Sequence, residues 1–152
     1  MDSIPALLGL AFRAGKLAVG EEPVGTACRA HKAYLLLLAH DAADNTIRRA
    51  QRFCQTANNT ICLTIPHTKD VLGGCLGRTS CAMLAVSDIG FAAAVAEKLA
   101  KADPETYHEA YEELRKKADR AKKRKDEKRA QQEKHSRPGR PSAKGGNRKK
   151  KP

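Results

Sequence analysis

Four short apolar segments of strand length alternate with helix-patterned segments in the first hundred residues. They cover residues 17–19, 34–39, 61–65 and 81–86, and the segment 34–39 is continuously apolar. A continuous apolar run of this length is typical of a strand that is covered on both faces. Strands that alternate with helices through short loops predict an α/β fold with helices on both faces of the sheet.

The helix patterns of this region have recognisable ends. We predict helices over residues 3–14, 21–31 and 44–57, a short helix that begins after Thr68 and ends at Gly73 and Gly74, and a last helix from residue 87 or 88 to 101. Asp44, Thr68 and either Ser87 or Asp88 are the predicted helix caps, because short oxygen-bearing side chains accept hydrogen bonds from first-turn N–H groups.

The sequence shows no feature of an enzyme or of a metal protein. Its five cysteines are odd in number and contain no C-x-x-C pair, which argues against a disulfide framework and against zinc. We predict that they are small core residues. No phosphate-binding glycine motif and no catalytic spacing is present, so we expect neither catalysis nor a cofactor.

The N-terminus lacks the charged flank of a signal peptide, and the longest apolar run is far shorter than a membrane span. We therefore expect a cytoplasmic protein that has no membrane partner. We also expect it to be a monomer.

The charge of the chain is concentrated at its C-terminal end. Residues 115–152 carry 18 Lys or Arg against 4 Asp or Glu, a balance of +14, whereas residues 1–114 carry 11 against 13, a balance of −2. After Leu114 there is no apolar stripe. We predict an exposed charged helix over residues 103–134 and a disordered basic tail over residues 135–152.

A segment as basic as residues 115–152 attracts a polyanion whatever the sequence of that polyanion, and such binding weakens steeply as the salt concentration rises. The cations that we expect to contact phosphates are Lys122, Lys123, Arg124, Lys125, Arg148, Lys149, Lys150 and Lys151.

Several local motifs of residues 4–100 agree with one known family. They are the run 8–11 (Leu-Gly-Leu-Ala), the run 13–17 (Arg-Ala-Gly-Lys-Leu), Gly20-Glu21-Glu22, the run 35–41, Asp44-Asn45-Thr46, Leu72-Gly73 with Gly77, and the run 85–92. In these motifs and in the order of its elements the chain resembles the ribosomal-protein seven-Ae and thirty-e superfamily of kink-turn RNA-binding proteins. The small bacterial members are the most similar.

The resemblance implies a domain of residues 1–102 that is a three-layer α/β/α sandwich with a four-stranded mixed sheet. It also implies that RNA binds at one end of the sandwich, through the start of the second helix and two further loops. The implied RNA-binding residues are Gly20, Glu21, Glu22, Pro23, Thr26, Asp41, Ala42, Arg78, Thr79 and Ser80. The chain departs from the family at Glu22, Pro23 and Thr26, where many relatives have Asn or Lys, Glu or Gln, and Lys.

The sequence thus predicts a non-catalytic protein that binds structured, kink-turn-like RNA and associates with the ribosome or ribosomal RNA. The basic tail would add affinity without sequence preference. An alternative stays open: a protein-interaction adaptor of the same fold, whose tail docks on ribosomal RNA or on an acidic partner.

Overall fold

The computed structural model describes residues 3–57 and 60–136, which form alternating helices and strands. In chain order these are α1 (Ser3–Arg13), β1 (Leu17–Val19), α2 (Glu21–Arg29), β2 (Leu35–Leu38), α3 (Asp44–Thr56), β3 (Ile61–Thr64), α4 (Lys69–Cys75), β4 (Met83–Val86), α5 (Ile89–Ala102) and α6 (Pro104–Ser136).

The four strands form one mixed sheet in the order β1-β4-β2-β3. Strand β4 is antiparallel to both β1 and β2, whereas β2 and β3 are parallel. The predicted α/β class and the four-stranded mixed sheet are therefore confirmed.

The two faces of the sheet are buried against different helices, because successive side chains of a strand point to opposite faces. Leu35, Leu37, Leu84 and Val86 pack in the cluster that includes residues of α1, α4 and α5. Leu36, Leu38, Met83 and Ala85 pack in a second cluster with residues of α2 and α3. The arrangement is the predicted three-layer α/β/α sandwich.

Two of the predicted helix caps are confirmed and one is wrong. The Thr68 hydroxyl accepts a hydrogen bond from the Val71 N–H (3.3 Å), and the Asp88 carboxylate accepts one from the Phe91 N–H (2.9 Å). Helix α3 instead has Ala43 at its N-cap and no side-chain cap. Asp44 is the first helical residue, where an acidic side chain still interacts favourably with the helix dipole.

The core continues into the beginning of α6. Tyr107 and Leu114 are 7% and 0% exposed and belong to the α1, α4 and α5 cluster. The Tyr107 hydroxyl also donates a hydrogen bond to the Thr64 carbonyl oxygen (2.6 Å). The helix predicted as exposed over residues 103–134 is therefore not exposed at these two positions, because a charged sequence with two well-placed apolar side chains can still pack.

The compact unit that contains the sheet reaches Lys117, and residues 118–152 group separately. The division of the chain at residues 102 and 134 stays a prediction. Residues 137–152, which include most of the predicted disordered tail, lie outside the described residues.

The cysteines lie where small apolar residues are expected. Cys28 and Cys81 are buried, and Cys54, Cys62 and Cys75 are half-buried against the two core clusters. Over the described ranges, no helix is long and apolar enough to cross a membrane.

Candidate nucleic-acid interface

Four connections of the fold meet at one end of the sheet. Because Val19 pairs with Leu84 and Leu38 pairs with Met83, the ends of β1 and β2 lie beside the start of β4. Leu38 also pairs with Thr64, which places the end of β3 at the same edge. The turn into α2, the loop after β2, the loop after β3 and the loop before β4 therefore share this end of the sheet.

The turn into α2 depends on glycine. Gly20 has a φ of +98° and a ψ of 164°, a conformation that is essentially restricted to glycine. Its N–H donates to the Met83 carbonyl oxygen (3.0 Å), so the turn is fixed to the start of β4. No side chain caps α2. The first N–H groups of the helix are thus open to an external acceptor, which is the arrangement that suits a phosphate.

Arg78 reaches this turn from the loop before β4. A Cβ atom built on Gly20 would lie 3.8 Å from Nη1 of Arg78, so the guanidinium lies against the glycine. The loop is held by the Arg78 N–H, which donates to the Gly73 carbonyl oxygen (2.8 Å), and by Gly77, whose φ is +71°. The side chains of Arg78, Thr79 and Ser80 are exposed.

Gly73 fixes where this loop lies. A Cβ atom on Gly73 would be 2.5 Å from Cα of Ser80, a distance that no backbone can accept without moving. Helix α4 and residues 77–80 can therefore approach this closely only because residue 73 has no side chain.

Asp41 is exposed, and its carboxylate makes a contact within the protein. Its carboxylate oxygen Oδ1 accepts a hydrogen bond from the Lys69 N–H at the start of α4 (2.8 Å). The neighbouring Ala42 is half-buried against the α2 and α3 cluster. Both residues lie at the predicted end of the fold, and Asp41 joins the loop after β2 to α4.

Glu21 also makes contacts within the protein. Its Oε1 lies 3.0 Å from Nε of Arg49, and its Oε2 accepts a hydrogen bond from the Thr46 hydroxyl (3.3 Å). The carboxylate thus joins α2 to α3, and Arg49 offsets its negative charge close to the open N–H groups. Sequence reasoning missed both partners, because residues that are far apart in the chain carry no local signal of this contact.

The remaining predicted residues of α2 are exposed. Glu22 and Pro23 lie on the surface of its first turn. The Thr26 hydroxyl donates to the Glu22 carbonyl oxygen (3.1 Å) and accepts from Nη2 of Arg29 (3.3 Å). Thr26 therefore has an arginine from the next helical turn beside it.

The thiol of Cys81, in the loop before β4, is held in its neutral form. Cys81 is buried, its N–H donates to the Lys69 carbonyl oxygen (2.9 Å), and burial raises the pKa of the thiol above its ordinary value of 9.0. Within residues 3–57 and 60–136, no three His, Cys, Asp or Glu side chains are placed to hold a metal ion.

The cations assigned to the basic tail are only partly described. Lys122, Lys123, Arg124 and Lys125 are exposed residues of α6. Arg148, Lys149, Lys150 and Lys151 lie outside the described residues.

Comparison with known proteins places residues 2–96 in a family described as ribosomal protein L7Ae/L30e/S12e/Gadd45. The chain is 37% identical over 90 residues to a protein named RNA-binding protein YlxQ of Bacillus subtilis (strain 168), a match that covers 57% of this chain and 84% of that protein. A solved structure of a protein of unknown function from Bacillus halodurans superposes with a TM-score of 0.58 at 28% identity, covering 64% of this chain and 96% of the other. The first two matches indicate a non-enzymatic protein, as predicted.

Proposed function

Because the chain belongs to the ribosomal protein L7Ae/L30e/S12e/Gadd45 family, we propose that it is a non-catalytic RNA-binding protein that recognises structured, kink-turn-like RNA, in association with the ribosome or ribosomal RNA. The similarity to a protein named for RNA binding supports this proposal. The structural observation that carries it is the contact of Arg78 with the Gly20 turn. The cytoplasmic location and the monomeric state expected from the sequence stay predictions.

Recognition begins at the start of α2. The open N–H groups of Glu21 and Glu22 and the guanidinium of Arg78 together offer donors to a phosphate that approaches the Gly20 turn. Gly20 lets the RNA backbone come close because it has no side chain. A sharply bent RNA, which exposes base edges that a regular A-form helix keeps out of reach, fits an end of a domain better than a straight duplex does.

The acidic residues of α2 have different roles in this interface. Glu21 is paired with Arg49, so it stabilises the α2–α3 contact and repels phosphates little. Glu22 is exposed and can accept a hydrogen bond from the amino group of a guanine. The domain then supplies specificity, whereas the basic C-terminal region supplies affinity for any RNA.

The test compares two RNAs on the full chain. One is a kink-turn with its sheared G·A pairs, and the other has these pairs replaced by Watson–Crick pairs. We expect the chain to bind the first at least about tenfold more tightly, because only this RNA presents the bend. Equal affinities would contradict kink-turn recognition, and absence of RNA binding would favour the protein-interaction alternative.

A further inference from the structure

Helices α2 and α3 leave the candidate interface side by side and in the same direction. Both begin at the end of the sheet where Gly20 and Arg78 meet, and Glu21 in the first turn of α2 pairs with Arg49 in the second turn of α3. One turn further along α2, a Cβ atom built on Gly25 would lie 2.9 Å from Cζ of Phe53. The two helices are therefore in contact and parallel, and they form one continuous surface that starts at the interface.

One cation lies over the Phe53 ring in this contact. Cζ of Arg49 lies 5.9 Å from the ring centroid, within the range of a cation–π interaction. A second cation, Arg29 of α2, lies close to the same contact: its Nη1 is 3.3 Å from the Cβ atom built on Gly25. The contact between the two helices therefore has one guanidinium from each helix beside it.

Two more arginines extend this cluster along α3. Nη2 of Arg48 donates to Oδ1 of Asn45 (2.8 Å), a neutral partner that leaves its charge uncompensated. Arg52 follows one turn later on the same face and is exposed. Of Arg29, Arg48, Arg49 and Arg52, Arg49 alone makes an ion pair within the described ranges, and its partner is Glu21. Like charges at i,i+4 destabilise a helix modestly, and a bound anion would offset this repulsion.

We propose that this α2–α3 surface, defined by Arg29, Arg48, Arg49 and Arg52, binds the phosphate backbone of an RNA stem that leaves the candidate interface. The proposal rests on the proposed function, since it concerns the same RNA beyond its bend. Guanidiniums bind phosphate oxygens through two parallel hydrogen bonds, and the exposure of all four side chains leaves them accessible. The surface supplies the directed cationic contacts that Thr26 of α2 does not.

The test uses the full chain with R48Q/R52Q, which leaves the Glu21–Arg49 pair intact. The matched control is R13Q/K16Q, which removes two exposed cations near the opposite end of the sheet. Affinity and its salt dependence are measured for a kink-turn RNA with long stems and for versions with each stem shortened in turn. We expect R48Q/R52Q to bind the long RNA about tenfold more weakly and with a salt slope lower by about 2.

On the RNA that lacks the relevant stem, R48Q/R52Q should bind as the parent chain does, and R13Q/K16Q should bind as the parent does on every RNA. The variant R48K/R52K should recover part of the affinity, because Lys keeps the charge but not the fork of donors. Circular dichroism should show the same helix content throughout. Equal losses for R48Q/R52Q and R13Q/K16Q, or a loss that does not depend on stem length, would overturn the proposal. These results are distinct from a failure of the proposed function, which appears as equal binding of the parent chain to RNAs with and without G·A pairs.

Discussion

The guanidinium of Arg78 lies against Gly20, with Nη1 3.8 Å from the position of a Cβ atom on that glycine. The two residues come from loops that are far apart in the chain and meet because β4 pairs with β1. Their contact places a cation beside the first turn of α2, which has no side-chain cap.

Replacement of Arg78 by Ala should weaken binding of the kink-turn RNA about tenfold and leave the free energy of unfolding nearly unchanged, because the side chain is exposed. Arg78→Lys should lose less, since it keeps the charge but not the fork of donors. Titration of labelled RNA measures both. Arg13→Ala is the control, and an equal loss in this variant would show that Arg78 contributes only net charge.

Gly73→Ala should destabilise the domain by about 1–3 kcal/mol, because its Cβ atom would overlap the backbone of Ser80. Gly74→Ala is a matched control in the same helix, where nothing lies within 4 Å of the new atom. Urea denaturation measures both free energies of unfolding. Similar values for the two variants would contradict the close packing of residues 77–80 on α4.

The Glu21–Arg49 pair should contribute modestly to stability. A double-mutant cycle with Glu21→Gln and Arg49→Gln should give a coupling energy of about 0.5–1 kcal/mol, since both side chains are partly exposed. Glu21→Gln alone should not weaken RNA binding, because the carboxylate faces α3. A loss of RNA affinity similar to that of Arg78→Ala would instead assign Glu21 a direct contact with RNA.

The stability of the fold should decrease at alkaline pH. Burial raises the pKa of Cys81 above 9.0, so the folded state holds its proton more tightly than the unfolded state does. The stabilisation is complete below pH 9 and is lost as the pH rises through the folded pKa. Denaturation under reducing conditions should show a smaller difference between Cys81→Ala and the parent at pH 10 than at pH 7. For Ile65→Val, which removes no titrating group, the difference should stay constant.

The sequence predicted the α/β class with helices on both faces of the sheet because these signals are local, whereas the four-stranded mixed sheet was implied by the family resemblance. The continuous apolar run 34–39 indicated a strand that is covered on both faces, and Leu35 and Leu36 indeed point into separate buried clusters. Pairs such as Glu21 with Arg49 could not be predicted, since their contact depends on how α2 and α3 pack. The extent of the core along the chain could not be predicted either, because Tyr107 and Leu114 lie within a charged segment that was expected to be exposed.

The central claim is that the domain supplies specificity and the basic C-terminal region supplies affinity. It is tested most directly with a shortened chain of residues 1–117. The ratio of its affinities for the kink-turn RNA and for the RNA without G·A pairs is compared with the same ratio for the full chain. A cut at residue 117 keeps Tyr107 and Leu114 with the compact unit and removes 15 Lys or Arg. We expect the shorter chain to bind more weakly and with a flatter salt dependence, but with the same preference for the kink-turn. If residues 1–117 bind the two RNAs equally, the domain is not the source of specificity and the central claim is wrong.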